Sequence, residues 1–131
     1  MPFQKIRQPQ TKKDINNLDE SIGFQFMRQP EVKSEIKVID NKLEIKINEF
    51  RSQSESGIEI NNFDTLSAIF IDNKYNGSDF ILTNSFFADE LVRSDDCLQL
   101  PSPINIMSKK TMIIYIDIYG NEFKELYEIK E

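Results

Sequence analysis

The chain has 131 residues, 39% apolar and 29% charged, which suits one folded domain and is too apolar for a disordered segment. It carries a net charge of −6, one cysteine and no histidine. The missing histidine removes the usual general base, the common zinc ligand and every Ser-His-Asp or Cys-His pairing, and the single Cys97 removes an internal disulfide.

Residues 1–20 read as a tail with Pro2, Pro9 and an Asn16-Asn17 pair, in which Ile15 and Leu18 could form one helical turn. Its first 13 residues hold Lys5, Arg7, Lys12 and Lys13 and no acid. The other 118 residues hold 12 bases against 22 acids. A body of that sign repels phosphate, so nucleic-acid contact is expected at most weakly, through those four bases. The domain boundary is expected near Ser21.

From there the apolar period becomes two. Ile22, Phe24 and Phe26 alternate with small or polar residues, as in a half-buried strand ending before Pro30. Ile36 and Val38 come next, then Asp40-Asn41 with turn chemistry, then Leu43, Ile45 and Ile47, one face oily and the other charged. A polar loop over 51–56 leads through Gly57 to Ile58 and Ile60. Residues 66–71 (LSAIFI) are nearly continuous apolar, as in a strand buried on both sides or central to a sandwich. Asn76-Gly77 signals a hairpin with 80–82 as the returning strand. Residues 84–96 are the least strand-like stretch and suggest a short helix or an ordered loop. Leu98 and Leu100 suggest a short strand stopped by Pro101 and Pro103. The closing hairpin is the strongest signal: 112–118 (MIIYIDI), a two-residue Gly120-Asn121 turn, then Phe123, Tyr127 and Ile129 on one face of the return strand.

About seven to nine short strands, spaced about 8–12 residues apart without alternating helices, predict an all-β fold. The expected architecture is an antiparallel immunoglobulin-like or fibronectin-like sandwich over 21–131, lacking the disulfide and core tryptophan of true immunoglobulin domains. No apolar run approaches the ~20 residues of a membrane helix, and no signal-peptide stretch opens the chain, so a cytoplasmic protein without a membrane partner is expected.

Residues 72–79 have the flavour of a calcium loop, but counting from Asp72 puts Lys74 at the third ligand position and Thr83 at the twelfth, which favours a plain turn. Asp89, Glu90, Asp95 and Asp96 flank Arg93 and read as a solvated loop, a weak cation site or an acidic docking patch. Two carboxylates beside Cys97 disfavour a thiolate, which makes it a spectator. Tyr115, Tyr119 and Tyr127 either stack across strands or form an aromatic platform. Gly23, Gly57, Gly77 and Gly120 stand too far apart for a phosphate loop, so no nucleotide or methyl-donor cofactor site can be read. No catalytic, cofactor-binding or metal-ligating residue emerges. Phe86, Phe87 and Leu91 are the candidate protein contacts.

Residues 66–77 (LSAIFIDNKYNG), 87–91 (FADEL) and 114–122 (IYIDIYGNE) carry a family likeness. Over about half of the chain, it resembles the C-terminal β domain of bacterial adenine-specific DNA methyltransferases of restriction–modification systems. In that family a separate domain holds the methyl-donor loop and the Asp/Asn-Pro-Pro-Tyr-like motif, neither of which occurs here. The resemblance implies an accessory module or excised domain that contacts a methyltransferase catalytic domain or subunit and is not itself an enzyme. The alternative is a free-standing protein-binding sandwich unrelated to DNA modification.

Overall fold

The computed structural model describes residues 29–53 and 60–129. The expected tail with Lys5, Arg7, Lys12 and Lys13, the boundary at Ser21, the strand through Ile22, Phe24 and Phe26, and Gly57 with Ile58 lie outside them.

Period-two alternation builds the first hairpin, β1 (Glu31–Ile39) with β2 (Lys42–Arg51). Asp40 and Asn41 both take positive φ, 53° and 63°, the twist a two-residue hairpin turn needs. On β2, Leu43, Ile45 and Ile47 point inward and are fully or almost fully buried. Phe50 is buried too, although its odd spacing from Ile47 would turn it outward in a regular strand. A bulge resolves the conflict: Lys33 faces Glu49 and Ser34 faces Ile47, leaving Asn48 as the extra residue that resets the alternation.

The outer face of this hairpin is a charge ladder. Glu31 faces Arg51, Lys33 faces Glu49, Glu35 faces Lys46 and Lys37 faces Glu44. Opposite charges directly across an antiparallel pair stabilise it modestly, and here they leave the face wet.

Apolar residues of both parities give β3 (Leu66–Asp72) and β8 (Lys110–Asp117), the two central strands of the second sheet. Between them in the chain come β4 (Asn84–Phe87), a single 3-10 turn (Ala88–Glu90), β5 (Val92–Ser94), β6 (Cys97–Gln99) and the two-residue β7 (Ile104–Asn105). The return strand β9 spans Glu122–Glu128. The first sheet has the order β1-β2-β6-β5, with β7 beside β2, and the second the order β4-β3-β8-β9. All pairings are antiparallel. One core joins the two layers: Leu43, Ile45, Ile47, Phe50 and Leu98 from the first, and Ile69, Ile71, Ile113 and Tyr115 from the second. The protein is an all-β sandwich. Among the described residues, no helix is long and apolar enough to cross a membrane.

Three local expectations are corrected. Gly77 does take a positive φ of 98°, but within a long connection over 73–83, and the returning strand is β4 rather than 80–82. The cause is Asp72, 1% exposed, whose carboxylate accepts the N–H groups of Lys74 (2.9 Å) and Ile81 (2.8 Å). Those bonds draw the chain away from the ladder until Thr83 N–H reaches the Ile71 carbonyl at 2.9 Å. Second, residues 84–96 are helical only over the single 3-10 turn Ala88–Glu90, which two short strands flank. There the Glu90 carboxylate reaches back to the N–H of Phe87 at 2.7 Å. Third, the closing hairpin turns through residues 118–120 rather than Gly120-Asn121: Asp117 N–H bonds the Asn121 carbonyl at 3.0 Å, and Gly120, φ 87°, takes the left-handed position.

Candidate functional site

Two polar clusters inside the sandwich are the first places to look for chemistry. The Ser34 hydroxyl of β1 donates to both oxygens of Glu125 on β9 (2.8 and 2.9 Å), and the Tyr115 hydroxyl of β8 donates to the same carboxylate at 2.8 Å. This ties the edge of one sheet to the other, and Glu125 is the inward polar residue between Phe123 and Tyr127. Burial, above all, pushes the Tyr115 phenol well above the ordinary value of 10.0, with the neighbouring Glu125 charge and hydrogen bond adding to it. A folded-state value above the unfolded one means the native state holds the proton more tightly. The stabilisation is therefore complete below about pH 10 and falls as pH rises through the folded value. Tyr115→Phe is expected to cost about 1–2 kcal/mol at neutral pH. Urea titrations should show that difference shrinking above about pH 10; a pH-independent difference would remove Tyr115 as the cause.

The second cluster centres on Asp117, 2% exposed. It accepts the Ser52 hydroxyl at 2.6 Å, the N–H groups of Tyr119 and Asn121 at 2.9 and 2.8 Å, and the Asn121 amide at 3.3 Å. Asp72 does the equivalent work for the 73–83 connection. The oxygens of these acids are occupied by their own neighbours, so both clusters act as braces for turns and sheets.

The sequence-level candidates are dispersed by the fold. Asn76 Oδ1 accepts the N–H groups of Ser78 and Asp79, the bonding of a turn. Arg93 stacks its guanidinium over the Phe63 ring at 5.2 Å. Cys97 is buried, its thiol directed at the Ser94 carbonyl. Tyr115 is wholly buried, Tyr127 packs on the core and Tyr119 is exposed at the turn, so the three tyrosines form no platform. Of the three candidate contacts, Phe86 and Leu91 pack against the core, while Phe87 is 59% exposed.

Phe87 belongs to a larger surface. In the second sheet Ile69, Ile71, Phe86, Ile113, Tyr115, Phe123 and Tyr127 face the core, so their alternates face outward. Register aligns those alternates in rows. Phe87, Ala68, Ile116 and Glu122 form one; Ser85, Phe70, Ile114 and Lys124 the next; Asp72, Met112 and Leu126 the third; Lys110 and Glu128 the last. The middle of the face is apolar but already shielded, Ala68 being 3% and Ile114 8% exposed with Phe70, Met112 and Ile116 half-buried, while Leu126 is 47% exposed at the β9 side and Phe87 is exposed at the β4 side. Ile118, 58% exposed, continues the β8 series into the turn. This is the opposite of the first sheet, whose outer face is the charge ladder. Exposed apolar side chains therefore stand at the two margins of this face, Phe87 and Leu126, rather than across it.

Apart from Phe87, these residues were not singled out by sequence reasoning. The signal was present in 66–71 and 112–116, which are apolar in both parities and so call for two covers. The structure buries both parities at the centre of this sheet, Ala68 and Ile114 as well as Ile69 and Ile113. Comparison with protein-family models, with curated proteins and with solved structures gives no match.

Proposed function

We propose that this protein works by binding protein rather than by catalysis, with the outer face of the β4-β3-β8-β9 sheet as its docking surface. We further assign it to the bacterial cytoplasm, as an accessory domain of an adenine-specific DNA methyltransferase system. The single observation that carries the binding reading is the set of exposed apolar side chains at the margins of that sheet, Phe87 at 59% and Leu126 at 47%, with Ile118 at 58% in the adjoining turn. Commitment of the buried carboxylates to bracing turns and sheets supports the non-catalytic part.

The strand orders support an immunoglobulin-like topology. β1-β2-β6-β5 corresponds to the A-B-E-D sheet of that fold, and β3, β8 and β9 to its C-F-G sheet, with β4 added at the edge. The methyltransferase assignment rests on the likeness of 66–77, 87–91 and 114–122. These segments fall on β3 and its following loop, on the β4 end with the 3-10 turn, and on the β8–β9 hairpin, so they cluster around the second sheet.

The test is co-expression with an adenine methyltransferase catalytic subunit from the same genome, followed by gel filtration. The two are expected to co-elute in fixed ratio. Separate elution would remove the methyltransferase assignment and leave the alternative, a protein-binding sandwich unrelated to DNA modification.

A further inference from the structure

We propose that Asn76 is a site of self-catalysed deamidation, at which the folded loop converts its own side-chain amide to a carboxylate. Asn76-Gly77 is the sole Asn-Gly pair in the chain. The Cγ of an asparagine is open to attack by the backbone nitrogen of the next residue, and glycine hinders that approach least because it has no Cβ. A bond forms between Gly77 N and Asn76 Cγ, and the Cγ–Nδ2 bond breaks. The Gly77 N–H proton passes through water to the leaving nitrogen, which departs as ammonia. Water then opens the resulting succinimide ring at either carbonyl, leaving aspartate or isoaspartate at position 76. No oxidant or cofactor is consumed.

The loop supplies what the step needs. Attack moves negative charge onto Asn76 Oδ1, where three donors already converge: the N–H of Ser78 at 2.8 Å, the N–H of Asp79 at 2.9 Å and the Ser78 hydroxyl at 3.3 Å. Donors fixed on an oxygen before it becomes an oxyanion stabilise the transition state without reorganising. Two backbone N–H groups on one side-chain atom also identify it as the amide oxygen. A side chain bonded two and three residues ahead folds back over the intervening Gly77, which keeps Cγ near the attacking nitrogen. That nitrogen has its own aid. Lys110 Nζ lies 3.4 Å from the position a Cβ on Gly77 would take. A cation there lowers the cost of the charge that builds on Gly77 N as its proton leaves. Residues 76–79 are exposed, so water reaches the ring that it must open. Asn73 is the contrast: it is buried, Lys74 follows it, and its Nδ2 is held by the Asn105 carbonyl at 2.9 Å. The product adds a negative charge to a chain already at −6 and sets it beside Lys110.

Incubation of the full chain at neutral pH, then tryptic digestion and mass spectrometry of the peptide 75–93, tests the proposal. The expected result is a gain of a single mass unit located at residue 76, with aspartate and isoaspartate both present. It should proceed at least about tenfold faster in the folded chain than in the same chain held unfolded in guanidinium chloride. Asn84, in the same peptide but followed by Ser85, should keep its amide over that time. Lys110→Met and Ser78→Ala should each slow the folded reaction several-fold and leave the unfolded rate alone, with circular dichroism confirming that both variants are folded. Conversion no faster in the folded chain than in the unfolded one overturns the proposal, since the loop then gives Asn76 no help. A folded rate indifferent to both variants overturns it equally, because neither the donors nor the cation would then matter.

Discussion

Asp117→Ala is expected to lower stability by about 3 kcal/mol or more, because it strips a buried acceptor from several donors at once. The Ser52 hydroxyl, the N–H groups of Tyr119 and Asn121, and the Asn121 amide all converge on that carboxylate. Ser52 follows β2 in the first sheet, whereas Asp117 ends β8 in the second, so the same group shapes the hairpin turn and joins the layers. Ser52→Ala removes one bond and is expected to cost about 1 kcal/mol. Asp117→Asn keeps one oxygen for the backbone donors and offers an amide to a hydroxyl that can also accept, so it should fall between the two. Urea unfolding of the three variants gives the ranking. Equal, small losses would mean that Gly120 and the backbone hold the turn without the carboxylate.

Phe50→Ala is expected to cost about 3–5 kcal/mol through the cavity it leaves. Phe50 is fully buried and sits where β2 ends, its N–H bonded to Asn62 Oδ1 and its carbonyl to the Phe63 N–H, both at 2.9 Å. The packing there is backed by a turn in which Phe63 holds φ 72°, a conformation uncommon for so bulky a residue, so the site cannot easily collapse. Glu49→Ala, one residue earlier on the charge ladder, should change stability by no more than about 1 kcal/mol. The contrast in urea midpoints tests the bulge directly: similar losses at 49 and 50 would mean that the alternation is not reset at Asn48.

How far the sequence reveals the fold depends on what each residue's signal distinguishes. Leu43, Ile45 and Ile47 mark a strand with one wet face, and Asp40-Asn41 marks its turn, because period and turn chemistry are local properties. The closing hairpin is legible for the same reason, although its turn spans residues 118–120 rather than Gly120-Asn121, since Asp117 captures the N–H groups that set it. Phe50 breaks the period, and only the register with β1 shows why. Residues 84–87 were illegible as a strand because two adjacent phenylalanines, one inward and one outward, obscure alternation in so short an edge. The outer face was hidden more deeply. A run apolar in both parities says that two covers are wanted, but which parity meets the core is decided by the sheet opposite.

The Glu90 carboxylate on the Phe87 N–H also bears on how large any assembly can grow. An exposed strand edge with free donors and acceptors invites another chain to extend the sheet without limit. At the β4 edge one such donor is already taken by an anion. The β1 strand is studded with Glu31, Lys33, Glu35 and Lys37, and β9 with Glu122, Lys124 and Glu128, charges that discourage edge pairing. Lateral addition is thereby discouraged on three sides. A sandwich whose edges are guarded in this way can meet other proteins without becoming the seed of a fibre.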